Sequence, residues 1–242
     1  MTRIYQDAAL AEGMIVKLDE RASHHIAHVL RAQSGEHLII FNGQGGEYQA
    51  KIGVISKKAV EVEILTFNPT ERESHLNIYL AQGIAKGEKM DWIIQKAVEL
   101  GVKKIIPVIT ERCNVRLTGD REEKRVQHWR AVSISACEQS GRNRLPEIYA
   151  PMTLAECLTN IKADHSFVLT PHATQKLPQQ KLTHHASIIL LIGPEGGLSE
   201  QEITDAKSHH FLPLTLGPRV LRTETAGIAA LAVLQYVYGD FD

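Results

Sequence analysis

The sequence predicts an α/β protein in which a β-rich N-terminal part precedes a larger domain built on a parallel sheet. After His75, compact apolar runs alternate with amphipathic stretches, a pattern typical of parallel strands joined by helices. Before His75, apolar and polar residues alternate around the glycine-rich turn at 42–46, which favours antiparallel hairpins. With 242 residues, the chain is long enough for two domains of modest size.

The N-terminal part is expected to form a β-rich domain over residues 1–68. Alternation of apolar and polar side chains predicts strands at residues 36–41, 47–55 and 59–65. A short helix is predicted over residues 23–32, ending before Gly35. Residues 69–75 are polar, begin with a proline and lack periodicity, so we predict a linker there.

The remaining residues, 76–242, are expected to form the parallel-sheet domain. Apolar runs predict its strands at residues 76–81, 104–109, 166–169, 187–192 and 211–216. Amphipathic periodicity predicts one helix over 89–100, capped by Gly101, and a second over 121–140. The polar stretch 170–185 is expected to be a surface loop.

Composition and charge are those of an ordinary globular protein. Hydrophobic residues make up 43%, charged residues 23%, and the formal net charge is −1, so a nucleic-acid partner would need a local basic surface. Cys113, Cys137 and Cys157 are far apart and are expected to be free thiols. Because the chain has no apolar run of about 18 residues and no apolar signal core, we expect a cytoplasmic protein without a membrane partner.

The twelve histidines raise the question of a metal site. His24 and His28 are spaced to share one face of a helix, but no glutamate follows His24 as in the zinc-binding helix of metalloproteases. Further pairs stand at 184–185 and 209–210. We expect these side chains to lie at the surface or to contact a partner, and we predict no metal.

The first of two glycine-rich loops reads Ile192-Gly-Pro-Glu-Gly-Gly-Leu-Ser199 and follows an apolar run. Glycine lets the backbone approach a ligand where a Cβ would collide. Ser199 and Glu202 have the spacing of a capping box, so a helix should begin here with its free N–H groups at the sheet edge. A loop of this kind can also serve only as a tight connection.

The second loop reads Leu216-Gly-Pro-Arg-Val-Leu-Arg-Thr-Glu-Thr-Ala226 and also leads from a strand into a helix. Thr223 is expected to cap this helix, and Glu224 suits the positive end of its dipole. Residues 226–238 are apolar on almost every side. A helix of this composition is expected to be buried all round, inside the fold or against a second subunit.

Two arginines, Arg219 and Arg222, stand at the start of that helix, where cations are unusual. They either form salt bridges with Glu195 or Glu224 or bind an anionic substrate. Neither glycine-rich loop has the Walker phosphate-binding motif or the Gly-x-Gly-x-x-Gly of dinucleotide sites, and no Ser-His-Asp or Cys-His arrangement is recognisable.

Both loops resemble the signature loops of the 16S ribosomal RNA (uracil-N3)-methyltransferase family, in the SPOUT superfamily. Three further runs match in the family's order: His25-x-x-His-Val-Leu-Arg31, Lys86-Gly-Glu-Lys-Met-Asp-Trp-Ile-Ile-Gln-Lys-Ala-Val-Glu-Leu-Gly101 and Glu138-Gln-Ser-Gly-Arg142. The resemblance covers nearly the whole chain. It implies a PUA-like RNA-binding barrel over 1–68 and a SPOUT methyltransferase domain over 76–242, tied in a trefoil knot that ordinary topology rules exclude almost everywhere.

The resemblance also implies S-adenosylmethionine as cofactor, the 16S rRNA of the small ribosomal subunit as partner, and a homodimer through the C-terminal helix that completes the site. Cofactor contacts are expected from three segments. They are Leu169, Thr170 and Pro171; Leu191, Gly193, Pro194, Glu195 and Gly196; and Leu216, Gly217, Leu221, Arg222, Thr223, Glu224 and Ala226.

Uridine N3 becomes a nucleophile only when its proton leaves, so the implied reaction requires alignment and stabilisation of a developing negative charge. Arg222 is the predicted stabilising cation, and Glu224 is predicted to orient it or to accept the proton; no metal is needed. RNA contacts are expected from Arg3, His25, Arg31, Arg142 and Arg144.

Two alternatives remain open at this point. One is a related SPOUT enzyme that acts on another RNA, such as transfer RNA, or on a ribose 2′-hydroxyl. The other is a non-catalytic RNA-binding module that has lost the cofactor, against which the intact glycines and Arg-x-x-Arg-Thr-Glu-Thr run argue. The sequence identifies neither the modified nucleotide nor whether naked rRNA or an assembled subunit is the substrate.

Overall fold

The computed structural model describes residues 1–56, 59–115, 118–171, 173, 182 and 185–241. The chain divides into two compact units. The first unit consists of Met1–Glu73 together with Cys137–Leu145, and the second of Ser74–Ala136 and Pro146–Asp242. The sequence did not predict that Cys137–Leu145, from the middle of the chain, would be grouped with the N-terminal residues.

Within its described residues, the first unit holds five strands. They are β1 (Arg3–Tyr5), β2 (Ile15–Lys17), β3 (His37–Phe41), β4 (Glu47–Ile55) and β5 (Val60–Asn68). Their order in the sheet is β1-β3-β4-β5-β2, with β1 parallel to β3 and the other neighbours antiparallel. The alternating apolar side chains predicted on these strands form a buried core that includes Ile4, Leu38, Ile40, Val62 and Ile64.

The helix predicted over 23–32 is shorter and begins earlier. It is α1 (Glu20–His24), followed by a π-helical turn over His25–Val29. Its N-cap is Asp19, whose carboxylate accepts a hydrogen bond from the Ala22 N–H. The predicted start was wrong because Ser23 is buried and bonds the neighbouring backbone, donating to Leu18 O at 3.1 Å.

The second unit is built on a parallel sheet with helices between its strands. The described strands are β6 (Asn77–Gly83), β7 (Lys104–Ile109), β8 (Glu147–Ile148), β9 (Met152–Thr153), β10 (His165–Leu169), β11 (Ser187–Ile192) and β12 (Leu212–Leu214). The described helices are α2 (Glu88–Glu99), α3 (Asp120–Ser140), α4 (Leu154–Asn160), α5 (Glu200–Ser208) and α6 (Thr223–Tyr238), of which α3 ends within the first unit. The sheet order is β12-β10-β11-β6-β7-β8, with β9 also paired to β7.

Because these strands are parallel, the loops that follow β6, β10, β11 and β12 leave from the same edge of the sheet. The strand predicted at 211–216 is confirmed only over Leu212–Leu214. The strands predicted at 104–109 and 187–192 are confirmed at both ends. Of the predicted surface loop 170–185, residues 172, 174–181 and 183–184 lie outside the described residues.

Helix α6 packs against α2, β6 and β11. No described residue covers its outer face, since Val233, Tyr236 and Val237 are exposed. Of the two expected ways to bury this helix, the chain's own described residues therefore do not supply one on every side, and burial against a second subunit stays a prediction. No helix of the described residues combines the length and apolar character needed to cross a membrane.

Candidate active site

A cavity of about 640 Å³ lies in the second unit at the carboxyl edge of the sheet. Three segments supply most of its wall: the end of β10, the loop after β11, and the chain from β12 to the start of α6. The predicted cofactor positions on its wall are Leu169, Thr170, Pro171, Gly193, Pro194, Glu195, Gly196, Leu216, Leu221, Arg222, Thr223, Glu224 and Ala226. The structure thus brings the two glycine-rich loops to one site, although cofactor binding by these residues stays a prediction.

Two of the predicted positions do not line this cavity. Leu191 is fully buried and packs in the apolar cluster that also contains Val168 and Ile189. It lies one residue before the last residue of β11, where side chains still alternate into the layers of the sheet. Gly217 has φ of +100°, a conformation that favours glycine, and serves the turn between β12 and α6.

The first loop is packed so tightly that its backbone forms part of the cavity wall. A Cβ at Gly193 would lie 2.8 Å from Leu198 N, and a Cβ at Gly83 would lie 2.5 Å from Pro194 N. At the end of the loop, Ser199 and Glu202 form the predicted capping box. Glycine is therefore required at both positions because backbone atoms occupy the space of a side chain.

Glu195 points into a group of donors from the start of α2. Its Oε1 accepts a hydrogen bond from the Lys86 N–H at 3.1 Å and lies 3.2 Å from Lys89 Nζ. Burial acts to raise the pKa of this carboxyl, but hydrogen bonds from its own N–H and the Lys86 N–H, with the Lys89 ammonium, outweigh burial and hold the pKa below its ordinary value. Glu195 is therefore committed to Lys89 and not to either loop arginine.

Arg112 was missed by the sequence reasoning, although it lies on the cavity wall. Its Nη1 donates to the carbonyl oxygens of Gly196 at 3.0 Å and Leu198 at 3.4 Å. It follows β7, the strand beyond β6, so the parallel order of the sheet brings it to the same edge. Only its position after a buried strand could have indicated it, since it belongs to neither glycine-rich loop.

The start of α6 differs from the predicted cap. Arg222 occupies the N-cap position and makes no side-chain cap bond. The Thr223 hydroxyl donates instead to Gly193 O at 2.6 Å and accepts from Gln82 Nε2 at 2.9 Å. The prediction that Thr223 caps the helix is wrong because its side chain turns inward to the first loop.

Arg219 and Arg222 are exposed at the mouth of the cavity. The described residues offer neither of them a carboxylate within 4 Å, so the predicted alternative of a salt bridge to Glu195 or Glu224 is not realised. Glu224 Oε2 is buried and has no hydrogen-bond partner among the described residues. Two exposed cations are therefore available for a ligand, and one buried carboxylate oxygen beside them lacks a partner among the described residues.

The residues predicted to contact RNA lie in the first unit and differ in exposure. The Arg142 guanidinium is nine-tenths buried and donates to both oxygens of Glu73, at 2.6 and 2.7 Å. Arg3 is paired with buried Glu47 and also bonds Asn143. A phosphate contact by Arg3 or Arg142 would require giving up these partners.

The other three candidates are more accessible. Arg31 is exposed, with φ of +52°, at the end of the π-helical turn, and His25 in that turn is half-buried. Arg144 is half-exposed and pairs with Glu71 at 2.7 Å. The rings of His24 and His28 lie 4.9 Å apart, as their spacing predicted. No group of three metal-ligating side chains occurs among the described residues.

Comparison with known proteins places this geometry in a family. Residues 72–235 match the RNA methyltransferase domain model, and residues 18–65 match the RNA methyltransferase PUA domain model. The ribosomal RNA small subunit methyltransferase E of Buchnera aphidicola subsp. Schizaphis graminum is 39% identical, over 98% of this chain and 97% of its own length. That of Bacillus subtilis is 31% identical, over 88% and 86%.

Solved structures agree with these relatives. The Neisseria gonorrhoeae ribosomal RNA small subunit methyltransferase E, bound to S-adenosyl methionine, has a TM-score of 0.92 at 40% identity and 100% coverage of both chains. A Legionella pneumophila protein in complex with the bound cofactor SAM has a TM-score of 0.95 at 43% identity and 99% coverage of both. The chain therefore belongs to the RNA methyltransferase family that includes the ribosomal RNA small subunit methyltransferases E.

Proposed function

We propose that this chain transfers the methyl group of S-adenosylmethionine to N3 of a uridine in the 16S rRNA of the small ribosomal subunit. The chain is an rRNA methyltransferase by family, and the finer choice of uracil N3 rests on its motifs. The observation that carries the proposal is the cavity at the meeting of the two signature loops, in a chain 40% identical to a relative whose structure holds the cofactor.

The cavity fits the cofactor in size and lining. Its volume of about 640 Å³ falls within the roughly 300–1,000 Å³ of sites that enclose small ligands. Leu169, Leu216 and Leu221 supply apolar wall for the faces of an adenine ring. The glycine-rich loop after Gly193 lines the cavity with its backbone, whose N–H and C=O groups, other than Gly193 O, are proposed to meet the edge of the adenine.

When bound, S-adenosylmethionine supplies an electrophilic methyl group and leaves as a neutral thioether. The chain must hold the uracil ring so that N3 faces that methyl, and must favour loss of the N3 proton. We assign stabilisation of the developing imide anion to Arg222, which no described carboxylate neutralises. We assign the proton, or the orientation of Arg222, to Glu224, whose buried Oε2 lacks a donor among the described residues.

The decisive experiment maps the modification. Small subunits from cells lacking this protein are incubated with enzyme and S-adenosylmethionine, and the rRNA is digested and analysed by mass spectrometry. A single 3-methyluridine in 16S rRNA is the expected product, and parallel reactions with naked rRNA identify the required substrate. Methylation of a ribose 2′-hydroxyl or of another RNA would replace the proposal, and absence of cofactor binding in calorimetry would point to a non-catalytic module.

Arg222→Ala tests the assigned cation, with Arg219→Ala as the matched control from the same loop. We expect Arg222→Ala to lower kcat by about 10²-fold, the usual loss of an electrostatic donor at a transition state, with cofactor affinity changed much less. Arg219→Ala should change kcat by less than about tenfold. Near-normal turnover of Arg222→Ala at saturating cofactor and RNA would refute the assignment.

We propose that the first unit binds rRNA through the accessible side chains of Arg31, His25 and Arg144. Arg3 and Arg142 are largely buried and support this surface, and they reach RNA only if their ion pairs with Glu47 and Glu73 break. Removing one phosphate contact should reduce the slope of log affinity against log salt by about 1. Arg31→Ala is the cleanest test because this side chain is exposed. An unchanged slope would exclude a phosphate contact there.

We also propose a homodimer through α6, in the cytoplasm where ribosomal subunits are assembled. Support comes from the apolar face of α6, on which Tyr236 is 74% exposed beside Val233 and Val237. Tyr236→Glu should convert the dimer to monomer in sedimentation velocity. Val54→Glu, at an exposed valine of the first unit, is the control that should leave the dimer intact.

The trefoil knot remains part of this proposal. Support comes from the path of the chain. Strand β12 lies at the edge of the sheet, next to β10, and residues 215–222 lead the chain back across the sheet so that α6 packs against β6 and β11. Pulling the protein by its termini tests the knot, because a tightened knot shortens the fully extended length expected for 242 residues. An extension equal to that of an unknotted chain would overturn it.

A further inference from the structure

A buried cluster of hydrogen bonds joins the two signature loops behind the cavity. Gln82, on β6, donates from Nε2 to Thr223 Oγ1 at 2.9 Å, and the Thr223 hydroxyl donates to Gly193 O at 2.6 Å. Gln82 is fully buried and Thr223 is 6% exposed. Gly193 begins the first loop and Thr223 ends the second, so the cluster links their backbones at the point where both meet the sheet.

The acceptors around the amide fix its orientation. Gln82 Nε2 lies 2.9 Å from Gly83 O, 2.9 Å from Thr223 Oγ1 and 3.5 Å from Gly193 O. A flipped amide would place its oxygen against two carbonyl oxygens, which cannot donate a proton. Since the Thr223 proton is given to Gly193 O, the Thr223 oxygen is left as an acceptor, and only the amide N–H among these groups can serve it.

Burying the Gln82 amide costs free energy that an apolar side chain at this position would not cost. Gln82 Oε1 is buried and finds no hydrogen-bond partner among the described residues, an arrangement that an apolar side chain would avoid. The other side chains around it on β6 are apolar, such as Leu80 and Ala81. The unsatisfied oxygen is tolerated because the opposite end of the amide holds Thr223.

The surroundings leave little freedom for this cluster to rearrange. Gly227, one turn along α6, approaches so closely that an added Cβ would lie 3.3 Å from Ile192 Cδ1 and 3.6 Å from Gln82 Oε1. Ile192 in turn pairs with Gln82 in the register of β11 and β6. The start of α6 is therefore held against the ends of two central strands.

We propose that Gln82 is a positioning residue, which acts through Thr223 to set the distance between the two loops and so the shape of the cofactor cavity. The Thr223 hydroxyl is committed to this task and does not bind the ligand. The inference rests on the proposed function of the cavity as the cofactor site. It assigns a role to a side chain that does not line the cavity.

Four variants test the proposal. Thr223→Val removes the hydroxyl at nearly constant volume, Thr223→Ser keeps the hydroxyl, and Gln82→Leu removes the amide. The control is Gln235→Leu: Gln235 is 1% exposed and bonds Ser74 Oγ and Leu100 O, and it does not line the cavity. This change removes a buried amide of the same unit whose bonds touch neither loop.

Three measurements are made on each variant, and one of them is the temperature of thermal unfolding. Calorimetry gives the dissociation constant for S-adenosylmethionine, and hydrogen exchange of residues 193–198 without cofactor gives the order of the first loop. Loss of a buried hydrogen bond that holds a binding loop should weaken affinity by about tenfold in Thr223→Val and Gln82→Leu. Thr223→Ser should stay within about threefold of the wild type. Gln235→Leu should unfold at lower temperature with unchanged affinity and unchanged loop exchange.

A double variant separates coupling from independent effects. If the two residues act as one unit, Thr223→Val with Gln82→Leu should weaken affinity no more than the larger single change. Additive losses, wild-type affinity in folded Thr223→Val, or equal losses in Thr223→Ser and Thr223→Val would each overturn the proposal. Should Gln82→Leu not fold, the two Thr223 variants decide alone.

The exchange measurement also separates this proposal from the proposed function. If the wild-type chain does not bind S-adenosylmethionine, the cofactor assignment fails. Faster exchange of residues 193–198 in cofactor-free Thr223→Val but not in Gln235→Leu would still establish the link between the loops, and equal exchange in both would remove it.

Discussion

Replacing Gly83 by alanine should distort the cavity that we propose as the cofactor site, without changing any residue that lines it. The added Cβ would lie 2.5 Å from Pro194 N and 2.9 Å from Gly193 C, where ordinary contacts are 3.4–4 Å. The first loop must therefore retreat by about 1 Å, a displacement that costs up to about 10²-fold in rate when it misplaces a reacting group. Overpacking of this kind also lowers the free energy of unfolding by about 1–3 kcal/mol.

The assay compares Gly83→Ala with Gly227→Ala in kcat, in KM for S-adenosylmethionine and in thermal unfolding. At Gly227 the nearest atom to an added Cβ is the side-chain end Ile192 Cδ1 at 3.3 Å, which has to shift by only a few tenths of an ångström, and alanine within a helix gains about 0.5–1 kcal/mol over glycine. Gly227→Ala should therefore stay near the wild type. Equal activity of the two variants would show that backbone contact does not set the loop position.

Three further outcomes follow from buried groups. Glu73→Gln should lower the free energy of unfolding of the first unit by about 3–5 kcal/mol in a denaturant titration, because it removes the carboxylate that pairs with the buried Arg142 cation. A loss below about 1 kcal/mol would show that this ion pair is not important for stability. Burial acts to raise the pKa of Glu47, but the bonded Arg3 and Arg72 outweigh burial and hold that pKa below the ordinary 4.5. The free energy of unfolding lost in Glu47→Gln should therefore be greatest at neutral pH and should vanish as the pH falls through the lowered pKa. A difference in unfolding free energy that does not depend on pH would contradict this. Burial raises the pKa of the Cys137 and Cys157 thiols to about 12, so neither should react with a disulfide reagent at pH 8 before unfolding, and rapid labelling of either in the native state would be the contrary result.

The elements with strong local signals were predictable from the sequence. The strands at 104–109 and 187–192 are confirmed to the residue because continuous apolar runs are buried on both faces of a parallel sheet. The capping box of Ser199 and Glu202 is confirmed because its bonds are local. Prediction failed at Thr223, where a partner 141 residues away, Gln82, competes with the local cap.

The site was predictable only as far as the glycine-rich loops reach. Sequence motifs select residues that are close along the chain, whereas Arg112 arrives from the strand beyond β6 and Gln82 from β6 itself. The prediction of RNA contact at Arg142 stays untested, but the partner of this side chain could not be read from the sequence for the same reason. The residues next to Arg142 in the sequence form a polar turn after a helix. Its ion-pair partner in the buried site is Glu73, which is 69 residues away along the chain.

A signature motif therefore mixes two kinds of residue that only three-dimensional contacts can separate. In the second loop, Arg222 is exposed at the cavity and has no counter-charge among the described residues, whereas the hydroxyl of the adjacent Thr223 donates to Gly193 O. If the roles proposed above hold, loss of activity in a Thr223 variant reports the distance between the two loops, and loss in an Arg222 variant reports the charge at the reacting atoms. Loss of a charge-stabilising arginine is expected to lower kcat, whereas loss of a threonine that holds a binding loop is expected to raise KM. Measuring kcat and KM separately therefore distinguishes residues that act on the substrate from residues that position the site.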